Sequence, residues 1–268
     1  DFLSIEKSYL IGKKMNTTFR RKLLERKLLC GTMLTTGSVE VAEIFSHLGY
    51  DWLFIDTEHS PLDSMTVRSL IQASGTTPCL VRLADHSEVS IKNALDSGAS
   101  GIIAPQVNNA DAAIEIVSFC KYPPAGKRGV GLSRASKYGL EFSDYVSNAN
   151  DNVSIVLQVE HIEAVGNVHE ILAVEGVDAI FVGPYDLSAS MGKPGLLGDP
   201  EVIEAIRTVA DACLEAEVPL GYFGMDVNDV AARAEQGFSL LCSGLDLDFL
   251  TQGGRKNLEQ LRSTKVKL

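Results

Sequence analysis

Several polar side chains in this 268-residue sequence fall where a short apolar run stops. The run Ala179 to Val182 halts at Gly183 and Pro184, and Tyr185 and Asp186 follow at once. A second run ends Gln158-Val159-Glu160, a third closes on Arg82, and a fourth leads into Asp56-Thr57-Glu58-His59. Gln158 and Glu160 are two apart, so in an extended strand they point to one face. Glu160 and Asp186 are hard oxygen ligands. Two such carboxylates plus water suit Mg²⁺ or Mn²⁺ and leave positions open for substrate oxygens. The histidines and cysteines show no zinc-type spacing. Each carboxylate also has a structural account: Glu160 paired with a nearby Lys or Arg, Asp186 a turn or cap residue after a proline.

His59 has the chemistry of a general base, since imidazole is the side chain whose unperturbed charge change lies near neutrality; the competing reading is a solvated loop histidine. Arg82 ends an apolar strand, and a guanidinium there needs an anionic partner from protein or substrate. His47 and His169 fall on amphipathic helical patterns and read as structural. His86 and His161 lie near the same ends with no assigned role.

These residues recur at a rhythm. Strands are expected over 29–34, 51–56, 78–83, 101–104, 153–159, 178–182, 219–223 and 239–243. Helical spacing fills 39–48, 64–73, 88–95, 110–120, 165–172, 202–216 and 227–235, with a closing helix over 247–261. An amphipathic patch from Phe19 to Leu29 predicts a short helix under the barrel. The segment 121–152 reads as long and irregular, a length that usually signals function. Strict alternation argues for one (β/α)8 barrel over 28–262, with an extension before it and a tail at 263–268. A barrel puts its chemistry at the C-terminal strand ends, which is where the polar residues fall. A doubly wound open sheet is the runner-up, but Gly31 to Gly37 carries neither nucleotide-loop pattern.

The net charge of −11 argues against nucleic acid as a partner. The apolar runs are strand-sized, so no membrane span is expected. The five cysteines have no paired spacing, which reads as a reducing, cytoplasmic setting.

Taken together, these motifs resemble the HpcH/HpaI family of class II pyruvate aldolases, over about Leu28 to Leu250. The resemblance is carried by Asp56-Thr57-Glu58-His59, Arg82, Leu95-Asp96 with Gly98-Ala99, Tyr122 to Gly131, Gln158-Val159-Glu160 and Phe181 to Ser188. It implies a barrel whose last helix is exchanged between subunits of a hexamer or trimer. It also implies a divalent cation (Mg²⁺, Mn²⁺ or Co²⁺) on Glu160 and Asp186. His59 corresponds to the base, Asp96 to the carboxylate that raises its basicity, and Arg82 to the residue that stabilises the enolate. Gln158 and the backbone from Gly183 to Tyr185 correspond to contacts with the pyruvyl unit, beside Asp186. Departures from the family pattern are Leu83 for a common proline, Tyr185 for a small residue, His161 for Thr or Ser, and a shorter 131–136 stretch.

The expected reaction is reversible cleavage of a 4-hydroxy-2-oxo acid to pyruvate and an aldehyde. Lys92 and Lys121 fall on predicted helices, so a Schiff-base route has no candidate. A related barrel acting on phosphoenolpyruvate or citryl-CoA-like substrates is the alternative, with Asp246 and Asp248 opposing an anion after the last strand. A non-catalytic barrel is a further one.

Overall fold

Runs such as Cys79–Arg82 and Gly101–Ala104 are too short for helices and buried throughout, which suits strands covered on both faces. In the computed structural model, which describes residues 18–263, eight such runs pair side by side in chain order into a closed, all-parallel barrel. They are β1 (Leu29–Leu34), β2 (Trp52–Asp56), β3 (Cys79–Arg82), β4 (Gly101–Ala104), β5 (Ser154–Val159), β6 (Ala179–Val182), β7 (Leu220–Gly224) and β8 (Leu240–Leu245). The extension up to residue 17 and the tail from residue 264 lie outside the described residues.

The outer ring begins with α1 (Phe19–Leu24), α2 (Val39–Leu48), α3 (Ser64–Ala73), α4 (Glu88–Asp96) and α5 (Ala110–Cys120). It continues with α6 (Phe142–Asn152), α7 (Ile162–Gly166), α8 (Val168–Leu172), α9 (Pro184–Ser190), α10 (Pro200–Glu215), α11 (Val227–Glu235) and α12 (Asp246–Ser263). Side-chain caps start several of them: Ser38, Asp63, Ser87 and Asn109 each accept a backbone N–H from the first turn.

Inside the barrel, Trp52, Phe54 and Phe181 stack edge and face around the axis, with Phe19 of α1 below them. A Cβ on Gly31 would stand 2.5 Å from the Trp52 indole, so glycine is what admits that ring. Each buried aromatic contributes roughly 1.5–3 kcal/mol. Side chains alternate along a strand, so the inward columns that hold Phe54, Leu80 and Val156 end at Asp56, Arg82 and Gln158. Packing of the barrel floor thereby aims the polar residues at its mouth.

Four expectations are corrected. The 121–152 segment is not wholly irregular: it contains a 3-10 turn over Arg134–Gly139 and then α6. The sequence of α6, rich in Asn, Asp and Ser, sets Phe142, Tyr145, Val146 and Ala149 at helical spacing, though only Ala149 is buried. The strand does stop before Gly183 and Pro184, but Pro184 does not bar a helix; it occupies the first turn of α9, where a missing N–H costs nothing. The helix expected over 165–172 is two short ones broken at Asn167, whose amide donates to the Asn108 carbonyl at 2.8 Å. Finally, the closing helix seats only its start on the barrel: Asp246 of α12 is buried and the Phe249 ring packs edge-on against Phe45 at 5.8 Å, while every residue from Phe249 to Ser263 is exposed. No helix among the described residues is long and apolar enough to cross a membrane.

Candidate active site

The C-terminal end of the barrel opens into a cavity of about 520 Å³ lined by Asp56, His59, Arg82, Gln158, Gly183, Tyr185 and Asp186, among others. Strand ends β2, β3, β5 and β6 deliver these side chains to one side of it.

Arg82 is the hub. Its Nε donates to Asp56 Oδ1 at 2.8 Å, and Nη1 lies 3.2 Å from Glu58 Oε2. The guanidinium sits 5.2 Å above the Phe54 ring. Burial works to depress its pKa, but the bond to Asp56 and the charges of Asp56, Glu58 and Glu160 outweigh that and raise it. Asp56 shows the mirror case: burial pushes its pKa up, yet Arg82 and the backbone N–H groups of Glu58 and His59 hold it below the usual carboxylate range. Asp56 therefore shapes the loop that carries His59.

Glu160 is buried beneath this hub. Its Oε1 accepts the Gln106 backbone N–H at 2.7 Å, and its Oε2 accepts from the Gln158 amide. Burial pushes its pKa up to about 7 against those donors, and the charges of Glu58 and Asp186 push the same way. Asp186 stands in the first turn of α9 with its side chain 44 % exposed. His59 Nε2 is 3.8 Å from Glu58 Oε2 and 4.0 Å from Asp186 Oδ2. Gly183 makes room for this arrangement: a Cβ there would lie 2.7 Å from Glu160 Oε2 and 3.0 Å from Gln158 Nε2.

No group of three or more His, Cys, Asp or Glu side chains forms a ready-made metal cage among the described residues. The donor set still fits a hard divalent ion that keeps most of its water or substrate oxygens. Glu160 and Asp186 repel each other across the site, Gln158 Oε1 is buried without a hydrogen-bond partner, and the glycine at 183 leaves the Glu160 oxygen uncovered.

The structure thus brings together His59, Arg82, Gln158, Glu160, Gly183, Tyr185 and Asp186. It does not bring Asp96 to the imidazole of the same chain. The Asp96 carboxylate, at the end of α4, accepts from Arg128 Nη2 at 2.7 Å. Arg128 is wedged over the Tyr122 ring at 4.6 Å, so this pair anchors the long segment after α5. His86 hydrogen-bonds the Pro105 carbonyl, and His161 caps α7 by accepting the Glu163 N–H at 3.1 Å. Lys121 follows α5 rather than lying on it, and its ammonium donates to the Asn150 carbonyl at 2.5 Å. Sequence reasoning gave no role to Asp56 or Glu58. The alternation that faces Phe54 inward was the available signal for Asp56; nothing local pointed to Glu58.

Cationic and acidic side chains gathered at the C-terminal ends of a closed parallel barrel define a barrel enzyme site. Residues 32–252 match the family described as HpcH/HpaI aldolase/citrate lyase, and the chain belongs to that family. It is 37% identical over 240 residues to a 2-dehydro-3,6-dideoxy-6-sulfogluconate aldolase of Pseudomonas putida, covering 88% of this chain and 93% of the relative. It is 35% identical to a hydroxypyruvate/pyruvate aldolase of Paraburkholderia phytofirmans, covering 91% and 97%. Its fold superimposes on a solved HpcH/HpaI aldolase/citrate lyase family protein from Burkholderia cenocepacia with a TM-score of 0.88 at 35% identity, covering 91% and 98%.

Proposed function

We propose that this protein is a divalent-cation-dependent aldolase that reversibly cleaves a 4-hydroxy-2-oxo acid to pyruvate and an aldehyde. The observation that carries the reading is the buried Glu160 carboxylate under the glycine at 183, at a strand end within the electrostatic reach of both Asp186 and Arg82. When bound by Glu160 and Asp186, Mg²⁺, Mn²⁺ or Co²⁺ supplies Lewis acidity toward the carboxylate and keto oxygens of the 2-oxo acid.

The remaining work belongs to the chain. Arg82 holds a fixed positive charge at the keto oxygen as it gains enolate character, and Asp56 and Glu58 keep the guanidinium from turning away. His59 takes the C4 hydroxyl proton in cleavage and returns it in addition. Gln158 and the backbone from Gly183 to Tyr185 orient the pyruvyl carboxylate. Asp96 is turned away from its own chain's His59, so it could raise that base only across a subunit boundary. No lysine lines the cavity among the described residues, which supports a route without a Schiff base.

Dialysis against excess EDTA is expected to abolish pyruvate release from a 4-hydroxy-2-oxo acid, and Mg²⁺, Mn²⁺ or Co²⁺ to restore it. Undiminished turnover in excess chelator would end this reading.

We further propose a homo-oligomer, a hexamer or trimer, in which α12 crosses to a neighbour. Leu250, Leu258 and Leu261 form one stripe along α12, and all three are exposed in the single chain. A groove of about 630 Å³ beside β1 and α11 is lined by Tyr50, Val227, Val230 and Leu241 and, on its other side, by Asp248, Phe249 and Gln252 at the start of α12 itself. Light scattering should find an oligomer, and Leu250→Glu with Leu258→Glu should yield monomers. An oligomer indifferent to both substitutions would place the interface elsewhere.

Cytoplasmic location is also our reading. The cysteines are free, and burial pushes the Cys79 thiol to about 11 and the Cys120 thiol to about 12, as suits small core residues in a reducing compartment.

A further inference from the structure

Apart from Thr35, the polar side chains of the cavity stand on the arc from β2 to β6. The facing arc is different in kind. Met33 of β1, Phe223 of β7, Leu245 of β8 and Leu247 of α12 line it, with Pro61 at the rim and Tyr185 leaning in from α9. Tyr185 and Phe223 pack ring against ring, with centroids 6.3 Å apart at 51°. Tyr185 stays 39% exposed and Leu247 48% exposed, so this wall presents apolar surface to whatever enters the mouth.

The hydroxyl deeper in this arc is already committed. Thr35 Oγ1 donates to Asp246 Oδ1 at 2.6 Å, and the backbone N–H groups of Thr35 and Thr36 bind the same carboxylate. A polyhydroxylated chain lying here would give up water without equivalent partners. A flat apolar group would gain contact with two rings.

We propose that Tyr185 and Phe223 form the acceptor wall of this enzyme, and that the aldehyde it takes carries an aromatic substituent rather than a polyol chain. This rests on the aldolase reading and gives it a substrate class. In the synthetic direction the new bond joins pyruvate C3, which gives up one proton, to the aldehyde carbon, whose oxygen takes one up. The product is a 4-aryl-4-hydroxy-2-oxobutanoate, with no other reactant consumed.

The test offers the full chain, loaded with Mn²⁺, pyruvate with either benzaldehyde or D-glyceraldehyde. A kcat/KM for benzaldehyde about tenfold or more above that for glyceraldehyde is expected. Tyr185→Ala and Phe223→Ala should each draw that ratio down by about fivefold or more, through loss of a ring contact. Tyr185→Phe, which retains the ring, should retain the preference. A preference for glyceraldehyde, or a ratio that neither alanine variant moves, overturns the proposal. Exchange of the pyruvate methyl protons with D₂O, followed by NMR without aldehyde, separates the two readings. Exchange with the wrong aldehyde preference sinks only the aromatic wall; no exchange and no condensation sinks the aldolase itself.

Discussion

Arg82→Ala should lower kcat by about a hundred- to a thousandfold while changing KM far less, the loss that follows removal of a preorganised charge at a developing oxyanion. The guanidinium also neutralises Asp56 and Glu58, and the Arg82 and Asp56 side chains are only 8% and 2% exposed. Breaking such a buried pair costs about 3–5 kcal/mol, so the alanine variant should also melt earlier. Arg82→Lys separates the two effects. It keeps a charge in the pocket but cannot span both carboxylates, so it should recover more stability than rate. A KM effect larger than the kcat effect would demote Arg82 to a substrate-binding residue. The acid side follows from Asp56, whose folded pKa lies below its unfolded one. Its contribution is present above the unfolded value of about 3.9 and is lost as pH falls through the folded value. Without Arg82 that folded value rises, and acid unfolding should begin at higher pH.

Glu160→Gln should abolish activity and weaken Mn²⁺ binding by about a hundredfold or more, since it removes one of two charged ligands at the site. Calorimetric titration or the Mn²⁺ spin-resonance signal would measure it, and unchanged affinity would move the cation elsewhere. The same substitution should not destabilise the metal-free protein. Burial holds the folded Glu160 pKa near 7, above its unfolded value, so the ionised group disfavours folding. That penalty is absent below the unfolded pKa and complete above the folded one, on the order of a few kcal/mol at most. Chelator-treated wild type should therefore lose thermal stability between pH 5 and pH 8, and the glutamine variant should lack this slope. A wild-type Tm independent of pH over that window would contradict a strained carboxylate at this position.

Much of the molecule is legible in short stretches of sequence. Apolar runs between amphipathic helices, repeated without interruption, already mean a parallel barrel, because each buried strand needs a helix on its outer side. Glu160, Arg82 and Asp186 could be singled out for the same reason: a charged group immediately after such a run sits at a strand end. Where a periodic segment sits inside a long connection the reading fails. α6 sets Phe142, Tyr145, Val146 and Ala149 at helical spacing, but its Asn, Asp and Ser content and the irregular stretch before it make that short pattern pass for loop.

Closure of the barrel decided what the sequence could not. Sequence alone determined the fold class, the positions of the polar strand ends and the residue types able to hold a cation, because these depend on neighbours a few residues away. Which ends converge depends on strand register around the whole ring. That register set Arg82 between Asp56 and Glu58 and brought Tyr185 from one strand end onto Phe223 of the next, while packing of the segment after α5 against the end of α4 tied Asp96 to Arg128. It also left Leu250, Leu258 and Leu261 of α12 exposed on the single chain, because whether an apolar stripe is covered depends on what packs beside it and not on the stripe itself.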